Sequence, residues 1–463
     1  MRDGGRIAAA IEVLTDLETR RVPAKVALKA WSDRSRFAGA KDRAFVSGLV
    51  LDALRKRRST TWRMGEDSPR AAVLGVLAWG WRWPTDRLAE AAGEEPHGPG
   101  TLTEVERTAL ASPRALDDAP APVRGDYPDW LDPHLARVFS DARAEEAAAL
   151  AERAPVDLRI NTLKTDPERA FKALQPLGAE PVAEVPTAAR IPAPDPAVRT
   201  GAVETIPAFH KGWFEVQDLG SQRAALMAGD IKGKQVLDFC AGGGGKTLAL
   251  AMAMGNTGQL YAYDNDARRM ADIIPRAQRA GVRNLQVRSP VTPDALKGLE
   301  GKMDVVFVDA PCTGSGTWRR HPDTKWRLTP DQLDRRMAEQ DAVLDQAATF
   351  VKPGGRLVYV TCSLFAEENE DRVGAFLERN GAFLPSPLGG EGGARSASDE
   401  GALSEGASSG NHPAQINPPA QPSAQPSASG GHLLPLEEKR VLRLSPLSAG
   451  TDGFFACVLE RKA

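Results

Sequence analysis

A chain of 463 residues, 42% of them apolar, has room for roughly two to four domains and a sizeable core, which excludes a small disulfide-stapled scaffold. Four cysteines form no C-x-x-C pair and six histidines no spaced cluster, which argues against a metal site and for a reducing compartment. No apolar run reaches the ~18 residues of a membrane span, and Arg2, Asp3, Arg6 and Glu12 interrupt the apolar core a secretion signal would need, so a cytoplasmic protein is expected. The net charge of −2 hides an uneven distribution: residues 1 to 63 carry 15 Lys or Arg against 7 Asp or Glu. The cluster Arg55-Lys56-Arg57-Arg58 suits phosphates and a solvated helix face equally well.

Apolar residues at three- and four-residue spacing (Ile7, Ile11, Leu14; Val46, Leu49, Val50; Val73, Val76, Leu77) predict helices over 5–18, 41–58 and 68–82 and an all-helical segment 1–140. Pro- and Gly-rich stretches at 95–100 and 117–128 separate it from the rest of the chain. Next come a helix over 144–153, a strand over 156–161, and a helix opened by Thr165-Asp166-Pro167-Glu168 with Thr165 as N-cap. With β-rich stretches up to Val216 they make a small α/β module of the ferredoxin-like kind over 144–215. Strand patterns at 236–239, 260–263, 285–287, 305–308 and 357–360, each followed by a helical stretch, predict a doubly wound, Rossmann-like parallel sheet. Residues 386–431, rich in Gly, Ser, Ala and Pro, cannot bury enough surface to order themselves and are expected to be a disordered insertion. A hairpin at 439–444 and 453–459 then closes the sheet, giving a domain of 216–385 plus 432–463.

The turn Cys240-Ala241-Gly242-Gly243-Gly244-Gly245-Lys246-Thr247 comes directly after the first of these strands. A P-loop needs glycine where Cys240 stands, and the dinucleotide pattern needs Gly or Ala where Thr247 stands, so both readings fail. What remains is Asp238, a glycine turn, and Asp264 at the end of the next strand, placed to accept the two ribose hydroxyls of an adenosine. Adenosine with no phosphate requirement points to S-adenosylmethionine. Further on, Asp309-Ala310-Pro311-Cys312 and Thr361-Cys362-Ser363 each close a short β-branched run. Ligands bind at the carboxyl ends of parallel strands, so two thiols and an aspartate are aimed at one crevice.

These motifs, with Arg159-Ile160-Asn161-Thr162-Leu163-Lys164, Glu215 to Gln222 and Thr451-Asp452-Gly453-Phe454-Phe455, resemble the Nol/Nop/Sun (Fmu) family of RNA cytosine-5 methyltransferases and its bacterial, RsmB-like branch. The resemblance implies that 1–140 is a divergent, shortened NusB-like RNA-binding domain and that 144–215 is a second RNA-binding module. It implies S-adenosylmethionine on Cys240, Ala241, Gly242, Gly243, Gly244, Gly245, Lys246, Asp264 and Asp309; apart from the resemblance, the Cys240 and Cys457 side chains are expected only to pack, as small buried residues. It makes Cys362 the nucleophile and Cys312 the group that assists product release, and it turns Arg159, Asn161, Lys164 and Lys325 toward RNA. The implied partner of this monomer is ribosomal RNA of the small subunit, with transfer RNA as the alternative, and no metal or membrane. Two departures stand out. The family's loop has Ala-Pro where this chain has Gly242-Gly243, and Ser289-Pro290-Val291 replaces an aspartate that meets adenine, leaving that contact to Asp294 or a backbone carbonyl.

Chemistry requires such a thiol. Cytosine C5 is too poor a nucleophile to take a methyl group from a sulfonium until a thiolate has added at C6. Asp309, near N3 and the exocyclic amine, can supply or share a proton as charge builds, if burial raises its pKa. A non-catalytic RNA-binding assembly factor of the same fold is the rival from another class, and loss of either strand-end cysteine would have favoured it. A DNA cytosine-5 methyltransferase would carry its nucleophile in Pro-Cys and lack Thr361-Cys362.

Overall fold

The computed structural model describes residues 1–193, 203–386 and 441–463. The first segment is helical, with helices Asp3–Arg20, Ala24–Arg34, Ala40–Arg55, Arg57–Met64 and Pro69–Gly75, the last running into a π-helical turn at Val76–Gly80. The periodic residues that predicted them form the core: Ile7, Leu14, Val46, Leu49, Val50, Val73 and Leu77 are all buried. The single helix expected over 41–58 is two helices that break at Lys56. A carboxylate from far along the chain caps the second, because Asp126 Oδ1 accepts the backbone N–H groups of Arg58 and Ser59, each at 2.8 Å.

Strands β1 (Val156–Ile160), β2 (Glu180–Pro181), β3 (Ala188–Ile191) and β4 (Phe214–Val216) form an antiparallel sheet in the order β2-β3-β1-β4. With helix Pro167–Leu174 after β1 and Pro207–His210 before β4, this is the ferredoxin-like topology. The N-cap of the first of these helices is Asp166, whose carboxylate accepts the Arg169 N–H at 2.8 Å, and not the expected Thr165. Pro167 at the first helical position accounts for this shift of one residue.

The large sheet contains β5 (Gln235–Asp238), β6 (Gln259–Tyr263), β7 (Leu285–Arg288), β8 (Met303–Asp309), β9 (Val351–Thr361), β10 (Phe383–Pro385), β11 (Val441–Leu444) and β12 (Phe454–Arg461). Its order is β10-β12-β9-β8-β5-β6-β7, with β11 paired to β12. Strands β5 to β9 are parallel, while β12 runs antiparallel to β9 and β11, making the predicted closing hairpin. From β5 the chain winds outward to β7, then returns to β8 on the other side, so the sheet reverses direction between β5 and β8 and opens a crevice at their carboxyl ends. Past Ser386, the insertion expected over 386–431 lies outside the described residues. Among the described residues no helix is long and apolar enough to cross a membrane.

The helical segment docks on the loop after Cys312. Arg55 donates to the Arg319 carbonyl at 3.1 and 2.9 Å, Lys325 Nζ to the Arg55 carbonyl at 3.0 Å, and Trp326 Nε1 to the Leu54 carbonyl at 2.7 Å. Below it, Arg319 and Arg320 hold Asp218 and Asp452 together, Arg320 at 2.8 and 2.6 Å, which joins the segment leading into the domain to the motif at 451–455.

Candidate active site

Four strand ends build the crevice. Asp238 ends β5, Asp264 follows β6, Asp309 ends β8 and Cys362 follows β9. Asp238 is fully buried; its Oδ2 accepts the Thr247 hydroxyl at 2.6 Å, while its Oδ1 meets no donor. Burial pushes its carboxyl up to about 7. The glycine turn passes through Gly244 at φ +85, a left-handed conformation, with Ile273 close to where a Cβ would stand. Helix Gly245–Met254 starts there, so its first N–H groups lie at the crevice.

Asp264 is 1% exposed and accepts the N–H groups of Gly242 and Asp266, both at 3.0 Å, while Arg269 pairs with it at 3.1 Å. Its position at the end of β6, bonded into the glycine turn, fits the ribose of an adenosine. Lys246 Nζ lies 2.8 Å from Asp309 Oδ2 and over the Phe454 ring. Burial opposes its charge, but Asp309 and the Cys362 sulfur nearby hold the ammonium above its usual range. Burial, with Asp238, Asp264 and Asp309 around it, pushes the Cys240 thiol well up, and Cys457 is buried in the core, so both behave as packing residues.

The two thiols meet: Cys312 Sγ and Cys362 Sγ are 3.4 Å apart. Their loops interlock through close backbone contact. The Gly316 N–H donates to the Cys362 carbonyl at 2.9 Å and the Gly453 N–H to the Gly316 carbonyl at 2.8 Å, and a Cβ on Gly316 would stand 2.2 Å from the Gly453 oxygen. Beneath them lies Glu368, fully buried and bonded to both loops. Nothing in the spacing of the sequence singles it out from its acidic neighbours Glu367 and Glu370.

Of the four residues expected on RNA, only Lys164 is exposed. Lys325 is 2% exposed, its ammonium turned to the helical segment, and burial drags it down to about 7, so it does not face a phosphate. Asn161 is buried as a bracket, donating to the carbonyls of Gly212 and Ala280, both at 2.8 Å. Arg159 is buried beside Glu215, and burial brings its guanidinium down to about 10. These three corrections share one cause: each cation or amide sits where two parts of the chain pack, which charge alone does not reveal. Cationic surface lies elsewhere. A cleft of about 340 Å³ opens at Cys312 between Arg327, Arg335 and Arg336. It shares Arg327, Leu328 and Gln332 with a groove of about 730 Å³ that reaches Arg21, Arg58 and Trp130 on the helical side. Val291 is 78% exposed, and the adenine contact stays unassigned. Among the described residues no group of three or more His, Cys, Asp or Glu is arranged to hold a metal ion.

Sheet order and crevice together define a Rossmann-like, methyltransferase-type fold. The chain belongs to the family described as 16S rRNA methyltransferase RsmB/F, which matches residues 227–460. It is 33% identical over 266 residues to the probable ribosomal RNA small subunit methyltransferase B of Synechocystis sp., covering 57% of this chain and 58% of that protein. The ribosomal RNA small subunit methyltransferase B of Salmonella typhi is 32% identical over 259 residues, covering 55% and 58%. The match thus spans 58% of the length of each of these relatives. Among solved structures, a methyltransferase homolog protein from Pyrococcus horikoshii superposes with a TM-score of 0.56 at 25% identity, covering 74% of this chain and 97% of its own.

Proposed function

We propose that this chain transfers a methyl group from S-adenosylmethionine to C5 of a cytosine in RNA, with 16S ribosomal RNA the first candidate and transfer RNA the second. The observation that carries the reading is the pair of thiols, 3.4 Å apart, beside the Asp309–Lys246 ion pair at adjoining strand ends. Asp264, the 240–246 turn and Asp309 would hold the cofactor, and the turn's bare backbone with an acid at the next strand end fits it. Once bound, the cofactor supplies an electrophilic methyl group.

Every other step belongs to the protein. Cys362 adds to C6 of the base and makes C5 nucleophilic. Asp309, held by Lys246 at 2.8 Å, lies where it can hydrogen-bond the base as charge redistributes. After methylation a water molecule takes the C5 proton, the C5–H electron pair re-forms the C5–C6 double bond and the C6–S bond breaks to return the Cys362 thiolate; Cys312, whose thiol touches the departing sulfur, assists that release by hydrogen-bonding it. The arginine-lined cleft at Cys312 and the groove beyond it suit a phosphate backbone leading to a base lifted from its stack. The protein would work as a cytoplasmic monomer, with the helical segment and the small module adding RNA contacts.

Incubating the protein with methyl-labelled S-adenosylmethionine and either 16S ribosomal or transfer RNA, then digesting to nucleosides, tests this. Label in 5-methylcytidine from ribosomal RNA is expected. Binding without label would favour the assembly-factor reading.

A further inference from the structure

Two chemically identical thiols lie in contact, yet only one is to attack. Something must distinguish them, and the surroundings of Cys312 and Cys362 differ in charge. Next to Cys312, Thr313 gives both its N–H, at 2.8 Å, and its hydroxyl to the carboxylate of Glu368. Gln340 Nε2 donates to the same carboxylate at 3.0 Å, and the Ser363 hydroxyl donates from the other loop. Behind these bonds the Leu364 N–H donates to Ser315 Oγ at 2.8 Å, the Phe365 N–H to Ser363 Oγ at 3.1 Å, and Ser315 meets Ser363 at 3.1 Å. Each hydroxyl accepts one backbone N–H and keeps its proton to donate, Ser315 toward Ser363 and Ser363 toward Glu368. Burial pushes the carboxyl of the fully buried Glu368 above its ordinary value, but the four donors converging on its two oxygens each favour the charged form, so Glu368 acts here as a carboxylate acceptor. On the other side, Cys362 packs in the cluster of Phe454, the ring over which Lys246 lies.

We infer that Glu368 is a positioning residue that keeps Cys312 a thiol, so that the thiolate needed for attack forms on Cys362. The inference rests on the reading of these cysteines as the reacting pair. Three of the four donors come from the Cys312 side, two from Thr313 and one from Gln340, which also holds the Pro311 carbonyl at 2.9 Å, so the buried negative charge bears more on Cys312 and disfavours a second negative charge there, at low dielectric where such effects are large. Its hydrogen bond to Cys362, burial, the Cys362 charge and then the Glu368 charge push the Cys312 thiol well up. Arg327, Arg335 and Arg336, with Glu339, line the cleft on the solvent side of Cys312 and oppose the contrast, but that cleft is open and water screens them where Glu368 is buried; the Lys246–Asp309 pair lies toward Cys362. Tyr359, whose hydroxyl donates to the Glu368 carbonyl at 2.7 Å, is neutral.

Alkylation of the RNA-free protein reads this directly. Iodoacetamide reacts with thiolate, and labelling of Cys312 and Cys362 is followed separately by peptide mass spectrometry. In the wild type Cys362 should be labelled faster, although Cys312 is the residue that lines the cleft. Glu368→Gln keeps the shape and a carbonyl acceptor but removes the charge; Cys312 labelling should rise about tenfold, the effect of one pKa unit, with Cys362 changed by less than about twofold. Should the variant lose its circular dichroism signature, the wild-type pH profile decides, because Cys312 labelling must rise at higher pH than Cys362 labelling. Equal profiles, faster wild-type labelling at Cys312, or a folded Glu368→Gln with unaltered Cys312 labelling would each overturn the role. Because neither RNA nor methyl transfer is involved, sorted thiols in a protein that fails to methylate would count against the proposed reaction alone.

Discussion

Arg269 sets its guanidinium 3.1 Å from the carboxylate of Asp264, reaching a buried acid from a side chain that is itself half exposed. Asp264 therefore already carries two backbone N–H groups and a cation, and a ribose must share or replace the outermost of these. Asp264→Ala is expected to weaken S-adenosylmethionine binding in calorimetry by about 1–3 kcal/mol, the loss of buried hydroxyl contacts. Arg269→Ala removes only the exchangeable partner and should not weaken binding. The opposite pattern, with Arg269 essential and Asp264 dispensable, would move the ribose elsewhere.

Asp238 gives a pH dependence of known sign. Its carboxyl rises from an ordinary 3.8 to about 7 because it is buried with one oxygen lacking a donor. A folded-state pKa above the unfolded one favours folding fully below pH 4, and that contribution is lost as pH rises toward 7. Relative to Asp238→Asn, the wild type should thus lose melting temperature between pH 4 and 7 and run parallel above it. Thermal melts of both proteins across that window supply the comparison; a wild type that gains on the variant with rising pH would contradict it.

Features of the fold and site differ in how legible they were in the sequence. The meeting of Cys312 and Cys362, fifty residues apart, was readable because parallel neighbouring strands bring their carboxyl ends together whatever lies between them. Asp238, Asp264 and Asp309 were readable for the same reason. Glu368 was not readable, since its role comes from hydrogen bonds to Thr313 and Ser363 that no spacing announces. Lys325 and Arg159 misled because a cation looks alike in sequence whether it faces phosphate, a carbonyl across a packed boundary as Lys325 does, or a buried carboxylate as Arg159 does beside Glu215. The break at Lys56 was hidden too, as the acid that caps the next helix, Asp126, lies some seventy residues away.

Burial of Lys325 carries its own prediction. Lys325→Met removes one hydrogen bond, to the Arg55 carbonyl, and should leave RNA affinity within about twofold, since no phosphate reaches that ammonium. Arg335→Glu, in the cleft beside Cys312, should weaken RNA binding and lower the dependence of log K on log salt by about one or more phosphate contacts. Filter binding at two or three salt concentrations distinguishes them. A steep loss from Lys325→Met in a protein that still melts normally would return that residue to the RNA interface.

The cysteines separate by what they leave behind on RNA. Cys362→Ala should abolish both methylation and any covalent complex, because without a C6 adduct C5 never becomes nucleophilic. Cys312→Ala should still attack and methylate, since Cys362 remains at the end of β9 with Lys246 beside it, but it should release poorly. The product would then stay bonded to the protein and survive denaturing electrophoresis as a slow-migrating band. With the sulfurs 3.4 Å apart, either could reach the same carbon after a small rotation, so contact alone does not assign the roles. Mixing each variant with cofactor and cytosine-bearing RNA and scoring the band does: a band from Cys362→Ala and none from Cys312→Ala would exchange nucleophile and release group, and with them the part inferred for Glu368.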